Sequence, residues 1–268
     1  MNCLGEGIMK IKKKLTIIIA IASFLLTISP LSAQTTANPV KAVEFYNRGV
    51  DRLTAGDYSG AIADFTQALQ LEPKDADAYY NRGYAELVLG QYERAIADYT
   101  QALTINPNYV NALGNRCYVH YLTKKYEAAV EDCTKAIALN GNFADFFIYR
   151  GNAKDDLGRH LEAIEDYTKA LSLQGTRGQD RIFYNRALAY NRAGQQEMAL
   201  RDYNESLKIN ANFAEAYHNR GLTYYKLGNR EKAIADLEAA ARLALSQGKQ
   251  GTAAKSQSAV ALIQGQKP

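Results

Sequence analysis

The stretch "DADAYYNRGYAELVLGQYERAIADYTQALTINP", residues 75–107, contains two amphipathic helical patterns joined by a short turn. Apolar residues recur at helical spacing in the first half, and the same spacing returns in the second half. Gly90 separates the halves and Pro107 follows the second one, both being residues that typically end helices. The stretch therefore predicts a helix-turn-helix hairpin.

The hairpin pattern returns along the chain with a period of 34 residues. Six predicted repeats span residues 42–75, 76–109, 110–143, 144–177, 180–213 and 214–247, with Gly178 and Gln179 inserted between the fourth and the fifth. A single hairpin cannot bury both faces of its helices, so the repeats must stack on one another. Residues 248–268 have a weaker apolar pattern and predict a capping helix with a tail.

Three positions in each repeat carry a resemblance to a known family. The small residue of the second half is always alanine, at Ala61, Ala95, Ala129, Ala163, Ala199 and Ala233. Aromatic residues recur in the first half at Phe45, Tyr79, Phe147, Phe183 and Tyr217, and in the second half at Phe65, Tyr99, Tyr167 and Tyr203. At these positions and in its period the chain resembles the tetratricopeptide repeat family. The resemblance implies an all-α fold, a right-handed superhelical solenoid of helix-turn-helix hairpins with a C-terminal capping helix.

Residues 1–33 have the layout of a secretory signal peptide, with lysines, an apolar run and small residues before a predicted cleavage after Ala33. Translation from Met9 would give a more typical start. Residues 34–41 are predicted to be a linker. The sequence thus predicts an exported bacterial protein that is periplasmic or secreted. The alternative is a protein anchored in the membrane by its N-terminus and facing the periplasm.

The body of the chain is almost neutral. Four of the 32 basic and one of the 28 acidic residues precede residue 34, which leaves 28 basic and 27 acidic side chains. Nucleic acid is therefore not expected as a partner, because such binding depends on neutralising phosphates. The three histidines, His120, His160 and His218, occupy different repeat positions without a second ligand at suitable spacing. We expect no metal, no cofactor and no catalytic residue, and so not an enzyme.

An arginine recurs in every repeat, with an aspartate sixteen residues after it. The arginines are Arg48, Arg82, Arg116, Arg150, Arg186 and Arg220, and the aspartates are Asp64, Asp98, Asp132, Asp166, Asp202 and Asp236. Arg82 and Asp98 are equally far from the turn at Gly90, so an antiparallel hairpin brings them to the same height. The spacing predicts a charge pair within each hairpin. The alternative is a row of arginines that lines a groove for an acidic ligand.

The resemblance implies that partners bind on the concave face formed by the first helices. The residue before the arginine is asparagine in five repeats, and tyrosines lie close to it. Asparagine offers an acceptor and donors to the backbone of an extended peptide, and tyrosine offers a large contact area with a polar tip. The predicted partner-binding residues are Tyr46, Asn47, Tyr80, Asn81, Tyr84, Asn115, Tyr118, Asn152, Tyr184, Asn185 and Asn219.

These observations predict a non-catalytic scaffold that binds a peptide or protein partner in the assembly of a cell-envelope or exported complex. The alternative is a carrier or assembly factor for a non-protein ligand such as an envelope polysaccharide. No contact with a membrane is expected after signal cleavage. Self-association of the chain is a further alternative.

Cys117 and Cys133 are the only cysteines beyond residue 33, and both belong to the third repeat. An oxidising compartment would permit a disulfide. Packed helix axes are about 8 to 10 Å apart, whereas bridged Cα atoms are about 4.4 to 6.8 Å apart. The expectation is therefore two buried thiols that pack as small apolar side chains, with the disulfide as the alternative.

Overall fold

The computed structural model describes residues 39–173 and 175–265, and these residues form helices and connecting turns without a strand. The helices are α1 Pro39–Thr54, α2 Tyr58–Leu71, α3 Ala76–Val88, α4 Tyr92–Ile105, α5 Val110–Leu122, α6 Tyr126–Leu139, α7 Ala144–Asp156, α8 His160–Ser172, α9 Gln179–Arg192, α10 Gln196–Ile209, α11 Ala214–Lys226, α12 Arg230–Ser246 and α13 Gln250–Gln264. This consecutive, repeated arrangement confirms the all-α fold. The predicted signal peptide lies outside the described residues, and α1 begins inside the predicted linker.

The chain divides into two compact units, one that ends at Thr123 and one that begins at Lys124. Within each unit every helix packs against the next one along the chain. The first helices of successive hairpins also contact each other, as α1 does with α3 and α9 does with α11. In each unit the first helices therefore form one layer and the second helices form another.

The turn inside most hairpins requires a left-handed backbone conformation. Gly90 has a φ of 74° between α3 and α4 and Gly158 has a φ of 78° between α7 and α8. Glycine adopts this region without the steric penalty of a side chain. Lys124, which stands where the other repeats have glycine, has a φ of 59° and is the one non-glycine residue with positive φ in the described ranges.

The glycine after the recurring arginine allows close packing of the two helices of a hairpin. A Cβ atom on Gly83 would lie 3.1 Å from the Tyr99 ring, and one on Gly151 would lie 2.9 Å from the Tyr167 ring. Such distances are shorter than ordinary van der Waals contact between carbon atoms. The glycines of the repeat are therefore packing residues.

Cys117 and Cys133 occupy the positions of this glycine and this ring in the third repeat. Both cysteines are completely buried, and both are disulfide-bonded. The expectation of two thiols is therefore wrong. That expectation compared the distance between helix axes with the distance required between bridged Cα atoms. Cα atoms lie about 2.3 Å from the helix axis, so Cα atoms on facing sides of two helices are much closer together than the axes are.

The last helix, α13, covers the end of the C-terminal unit. It packs against α12 and also contacts α11. Ile263 is buried in a cluster with Ala233 and Leu237, and Ser256 Oγ lies 2.8 Å from His218 Nδ1. The helix therefore occupies the place and has the packing expected of the predicted cap. None of the described helices is both long and apolar enough to cross a membrane.

Candidate partner-binding site

The recurring arginines bind the recurring aspartates in bidentate pairs. Arg82 donates from Nε to Asp98 Oδ2 at 2.6 Å and from Nη2 to Asp98 Oδ1 at 2.8 Å. Equivalent pairs join Arg48 to Asp64, Arg150 to Asp166, Arg186 to Asp202, and Arg220 to Asp236. The five aspartates are buried, and the paired arginine compensates the charge of each one. Asp64 and Asp166 have a second cation beside them, Arg52 at 3.2 Å and Lys154 at 2.9 Å. The predicted charge pair is confirmed in these five repeats.

The third nitrogen of the guanidinium group reaches the preceding repeat. Arg82 Nη1 donates to Thr66 Oγ1 at 3.1 Å, from α3 to the second helix of the repeat before it. The same link runs from Arg116 to Thr100, from Arg150 to Thr134, from Arg186 to Thr168, and from Arg220 to Asn204. Arg82, and each equivalent arginine that makes both contacts, thus joins the two helices of its own hairpin and also binds the hairpin to the preceding repeat.

Several of the recurring asparagines donate to a side chain of the preceding repeat. Asn81 Nδ2 donates to Tyr46 Oη at 3.0 Å, and Asn115 Nδ2 donates to Tyr80 Oη at 3.3 Å. In the C-terminal unit Asn219 Nδ2 donates to Tyr184 Oη at 2.9 Å and Asn185 Nδ2 donates to Asn152 Oδ1 at 3.1 Å. Burial raises the pKa of the Tyr46 and Tyr80 hydroxyls. The asparagines and tyrosines form a hydrogen-bonded ladder between first helices.

Burial divides the predicted partner-binding residues into two groups. Four are buried in contacts between repeats, namely Tyr46, Tyr80, Asn81 and Asn115. Seven are partly exposed, namely Asn47, Tyr84, Tyr118, Asn152, Tyr184, Asn185 and Asn219. The first group is enclosed between first helices and holds them at a fixed spacing. The second group is accessible to a partner, and four of its members, Asn152, Tyr184, Asn185 and Asn219, also belong to the ladder.

A pocket of about 320 Å³ lies between the first helices α9 and α11. Its lining residues are Leu188, Asn191, Arg192, Asn219, Leu222, Thr223 and Lys226. Leu188 and Leu222 are equivalent positions of the fifth and sixth repeats, and Arg192 and Lys226 are equivalent positions one helical turn later. We refer to these seven residues as the α9–α11 pocket.

Hydrogen bonds between side chains form the polar wall of the α9–α11 pocket. Asn191 Nδ2 donates to Thr223 Oγ1 at 2.8 Å and to Tyr203 Oη at 3.1 Å. Thr223 Oγ1 in turn donates to the Asn219 carbonyl oxygen at 2.7 Å. At the rim, Arg192 donates from Nη1 to the buried Asp155, which also lies 2.7 Å from His160 Nδ1. The pocket thus combines fixed polar groups with two apolar side chains.

The α9–α11 pocket and the predicted partner-binding residues lie on first helices, but they share few residues. Tyr84, Tyr118 and Asn152 were predicted at the repeat position that Leu188 and Leu222 occupy in the pocket. Asn219 is the only predicted residue that lines it. The available signal was the pair of cations, Arg192 and Lys226, at one repeat position in consecutive repeats. Within the described ranges, no group of three or more His, Cys, Asp or Glu residues is arranged to hold a metal ion.

Sequence profiles described as tetratricopeptide repeat match residues 46–110 and 87–143, and also residues 147–176 and 214–247. A profile described as TPR repeat matches residues 187–228. Together these matches cover well over half of the chain, so the chain belongs to the tetratricopeptide repeat family. Comparison with curated protein sequences found no significant match.

Solved structures of tetratricopeptide repeat proteins share the fold. A protein from Parabacteroides merdae ATCC 43184 is 20% identical with a TM-score of 0.64, covering 84% of this chain and 93% of that chain. YrrB, described as a TPR protein with an unusual peptide-binding site, is 23% identical with a TM-score of 0.61, over 72% of this chain and 97% of its own. The MamA protein is 24% identical with a TM-score of 0.60, over 65% and 94%.

Proposed function

We propose that the protein is a non-catalytic scaffold that binds a peptide or protein partner on the surface formed by its first helices. The α9–α11 pocket carries this proposal, because all its lining residues belong to two first helices. Binding pockets combine apolar walls with a few fixed polar groups. Leu188 and Leu222 supply the apolar contacts here, and the hydrogen-bonded side chains of Asn191 and Thr223 supply polar groups of fixed orientation.

The partly exposed asparagines and tyrosines extend this surface beyond the pocket. Asn185 donates to Asn152, and Asn219 donates to Tyr184, so the remaining polar atoms of the three asparagines have a defined orientation. Preorganised side chains lose little conformational entropy when a ligand binds. YrrB, which shares the fold, is described as having a peptide-binding site, and this supports a peptide as the ligand class.

The proposed setting is the assembly of a cell-envelope or exported complex. Its support is the sequence of residues 1–33, with basic residues, an apolar run and a small-residue end that are typical of an export signal. Cell fractionation combined with N-terminal sequencing tests this part. A mature N-terminus at Gln34 in the periplasmic or secreted fraction is the expected result, and recovery in the cytoplasm would contradict it.

The binding surface is tested with matched leucine substitutions. Partners captured from cell-envelope extract on the immobilised protein are identified by mass spectrometry, and the affinity of the purified partner is then measured. Leu188→Ala, in a first helix, is expected to weaken binding by about fivefold or more, the size expected for losing a buried aliphatic contact. Leu161→Ala in α8, where the leucine is 60% exposed on a second helix, is the control and is expected to leave affinity unchanged.

Thermal melting of both variants shows whether they remain folded at the binding temperature. Equal affinities of the folded variants would contradict a site on the first helices. Binding to a glycan array without capture of any protein would instead support a carrier of an envelope polysaccharide.

A further inference from the structure

The α9–α11 pocket contains a buried acceptor that no described residue satisfies. Both hydrogens of the Asn191 amide are committed, to Thr223 Oγ1 and to Tyr203 Oη. Asn191 Oδ1 is buried and accepts no hydrogen bond from the described residues. A buried carbonyl oxygen without a donor costs about 1 to 3 kcal/mol. Because this oxygen is enclosed by the protein, a ligand cannot reach it, and the other groups of the pocket determine which ligand it takes.

The rim of the pocket carries one cation that the described residues leave uncompensated. Arg192 is paired with Asp155, so its charge is largely balanced within the chain. Lys226 is exposed at the end of α11 and forms no ion pair with a described residue. A single negative charge on a ligand would therefore find its complement at Lys226.

The size of the pocket limits the occupant to a small group. A volume of about 320 Å³ lies at the lower end of the range for small-molecule sites, which is about 300 to 1,000 Å³. It accommodates one side chain with the adjoining backbone. Leu188 and Leu222 offer apolar contact to the methylene groups of such a side chain.

We propose that the α9–α11 pocket selects an acidic residue, glutamate or aspartate, of an extended peptide. The side-chain methylene groups of this residue contact Leu188 and Leu222, and its carboxylate pairs with Lys226 Nζ. This inference rests on the proposed peptide-binding function and adds the chemistry of the ligand to it.

The selection is local to the fifth and sixth repeats. The repeat position of Arg192 and Lys226 is held by Thr54, Val88, Leu122 and Asp156 in the first four repeats. None of those four residues is a cation, so the acidic preference is expected at one ligand position rather than along the whole peptide.

The test is a positional-scanning library of octapeptides, in which one position at a time is held as each amino acid, bound to the full-length protein. Glutamate or aspartate is expected to bind about threefold to fivefold better than glutamine at one position, the size of a partly exposed ion pair. The preference is expected to shrink between about 50 mM and about 500 mM salt, since salt screens exposed charges.

Two charge-reversal variants make the test specific. Lys226→Glu is expected to replace the acidic preference by a preference for lysine or arginine at the same position. Lys169→Glu makes the same change in charge on an exposed residue of α8, outside the pocket, and is expected to retain the acidic preference.

The outcomes separate this inference from the proposed function. Peptide binding without an acidic preference, or a preference that Lys226→Glu leaves unchanged, would overturn the acidic selection while peptide binding stands. Failure of every library peptide to bind the folded protein would overturn peptide recognition itself, and the selection with it.

Discussion

The second and fourth repeats place opposite charges beside the same arginine–aspartate pair. Glu86 in α3 and Lys154 in α7 both lie four residues after the paired arginine, and both are buried. Lys154 Nζ lies 2.9 Å from Asp166 Oδ2 and adds a second cation to that aspartate. Burial and the neighbouring Asp98 raise the pKa of Glu86 to about 7. One position thus accepts either charge, because a buried glutamate can become neutral by taking up a proton.

The largest expected effect comes from removing the arginine of each pair. Arg82→Ala should lower the free energy of unfolding at pH 8 by about 3 to 5 kcal/mol, because it leaves Asp98 buried without a counter-charge. Arg150→Ala should cost about half as much, because Lys154 still compensates Asp166. Urea denaturation measures both values. Equal losses of unfolding free energy in the two variants would show that the side chain four residues after the arginine does not influence the cost of removing that arginine.

The double change Arg82→Leu with Asp98→Leu is the control for the pair itself. It removes both charges and leaves no unpaired ion, so the protein should be more stable than Arg82→Ala. A double variant that is as unstable as Arg82→Ala would mean that shape, rather than charge compensation, determines the loss.

A smaller effect is expected from the pH dependence that Glu86 introduces. In the unfolded chain Glu86 loses its proton near its ordinary pKa of 4.5, whereas in the folded protein it keeps the proton up to about pH 7. The stability that protonated Glu86 contributes is therefore complete below pH 4.5 and is lost as the pH rises to about 7. It amounts to about 3 to 4 kcal/mol, since the pKa rises from 4.5 to about 7 and one pKa unit corresponds to about 1.4 kcal/mol.

Glu86→Gln should remove this contribution to the pH profile, so the difference between the two proteins, measured by urea denaturation from pH 4 to pH 8, isolates the carboxyl group. Glu93→Gln, at an exposed glutamate of the same repeat, is the matched control. Parallel profiles for the original protein and Glu86→Gln would contradict the raised pKa.

The smallest effect concerns the link to the preceding repeat, which the second and fourth repeats share. Thr66→Val removes the acceptor of Arg82, and Thr134→Val removes the acceptor of Arg150. Each should cost about 0.5 to 1.5 kcal/mol, the net value of one hydrogen bond. Similar losses in thermal melting would confine the difference between the repeats to Glu86 and Lys154, whereas a clearly larger loss in one repeat would extend it to the docking contacts.

The arginine–aspartate pairs could be predicted because they depend only on the geometry of a single hairpin. Residues equally far from a turn meet in an antiparallel hairpin, whatever the neighbouring repeats do. The packing glycines were predictable for a similar reason, since Gly83 and Tyr99 belong to one hairpin. The prediction that Cys117 and Cys133 are free thiols was wrong, because it treated the separation of helix axes as the separation of facing Cα atoms.

The roles of the asparagines could not be read from their pattern. An asparagine beside a tyrosine is equally consistent with a ligand contact and with a bond between repeats. Asn81 donates to Tyr46, 35 residues earlier, and this partner is determined by how one first helix packs on the next. Exposure separates the two roles, and exposure is a property of the packed array.

The sequence by itself determined the helical hairpins, their period, the charge pair inside each hairpin and the family, because all of these follow from spacings within about 34 residues. Only the tertiary structure decided which asparagines are buried, that Glu86 is held beside Asp98 in a protonatable state, and that Leu188, Asn191 and Lys226 share a pocket. The physical reason is that burial and hydrogen-bond partners depend on surfaces from different repeats, and these surfaces meet only when the hairpins stack.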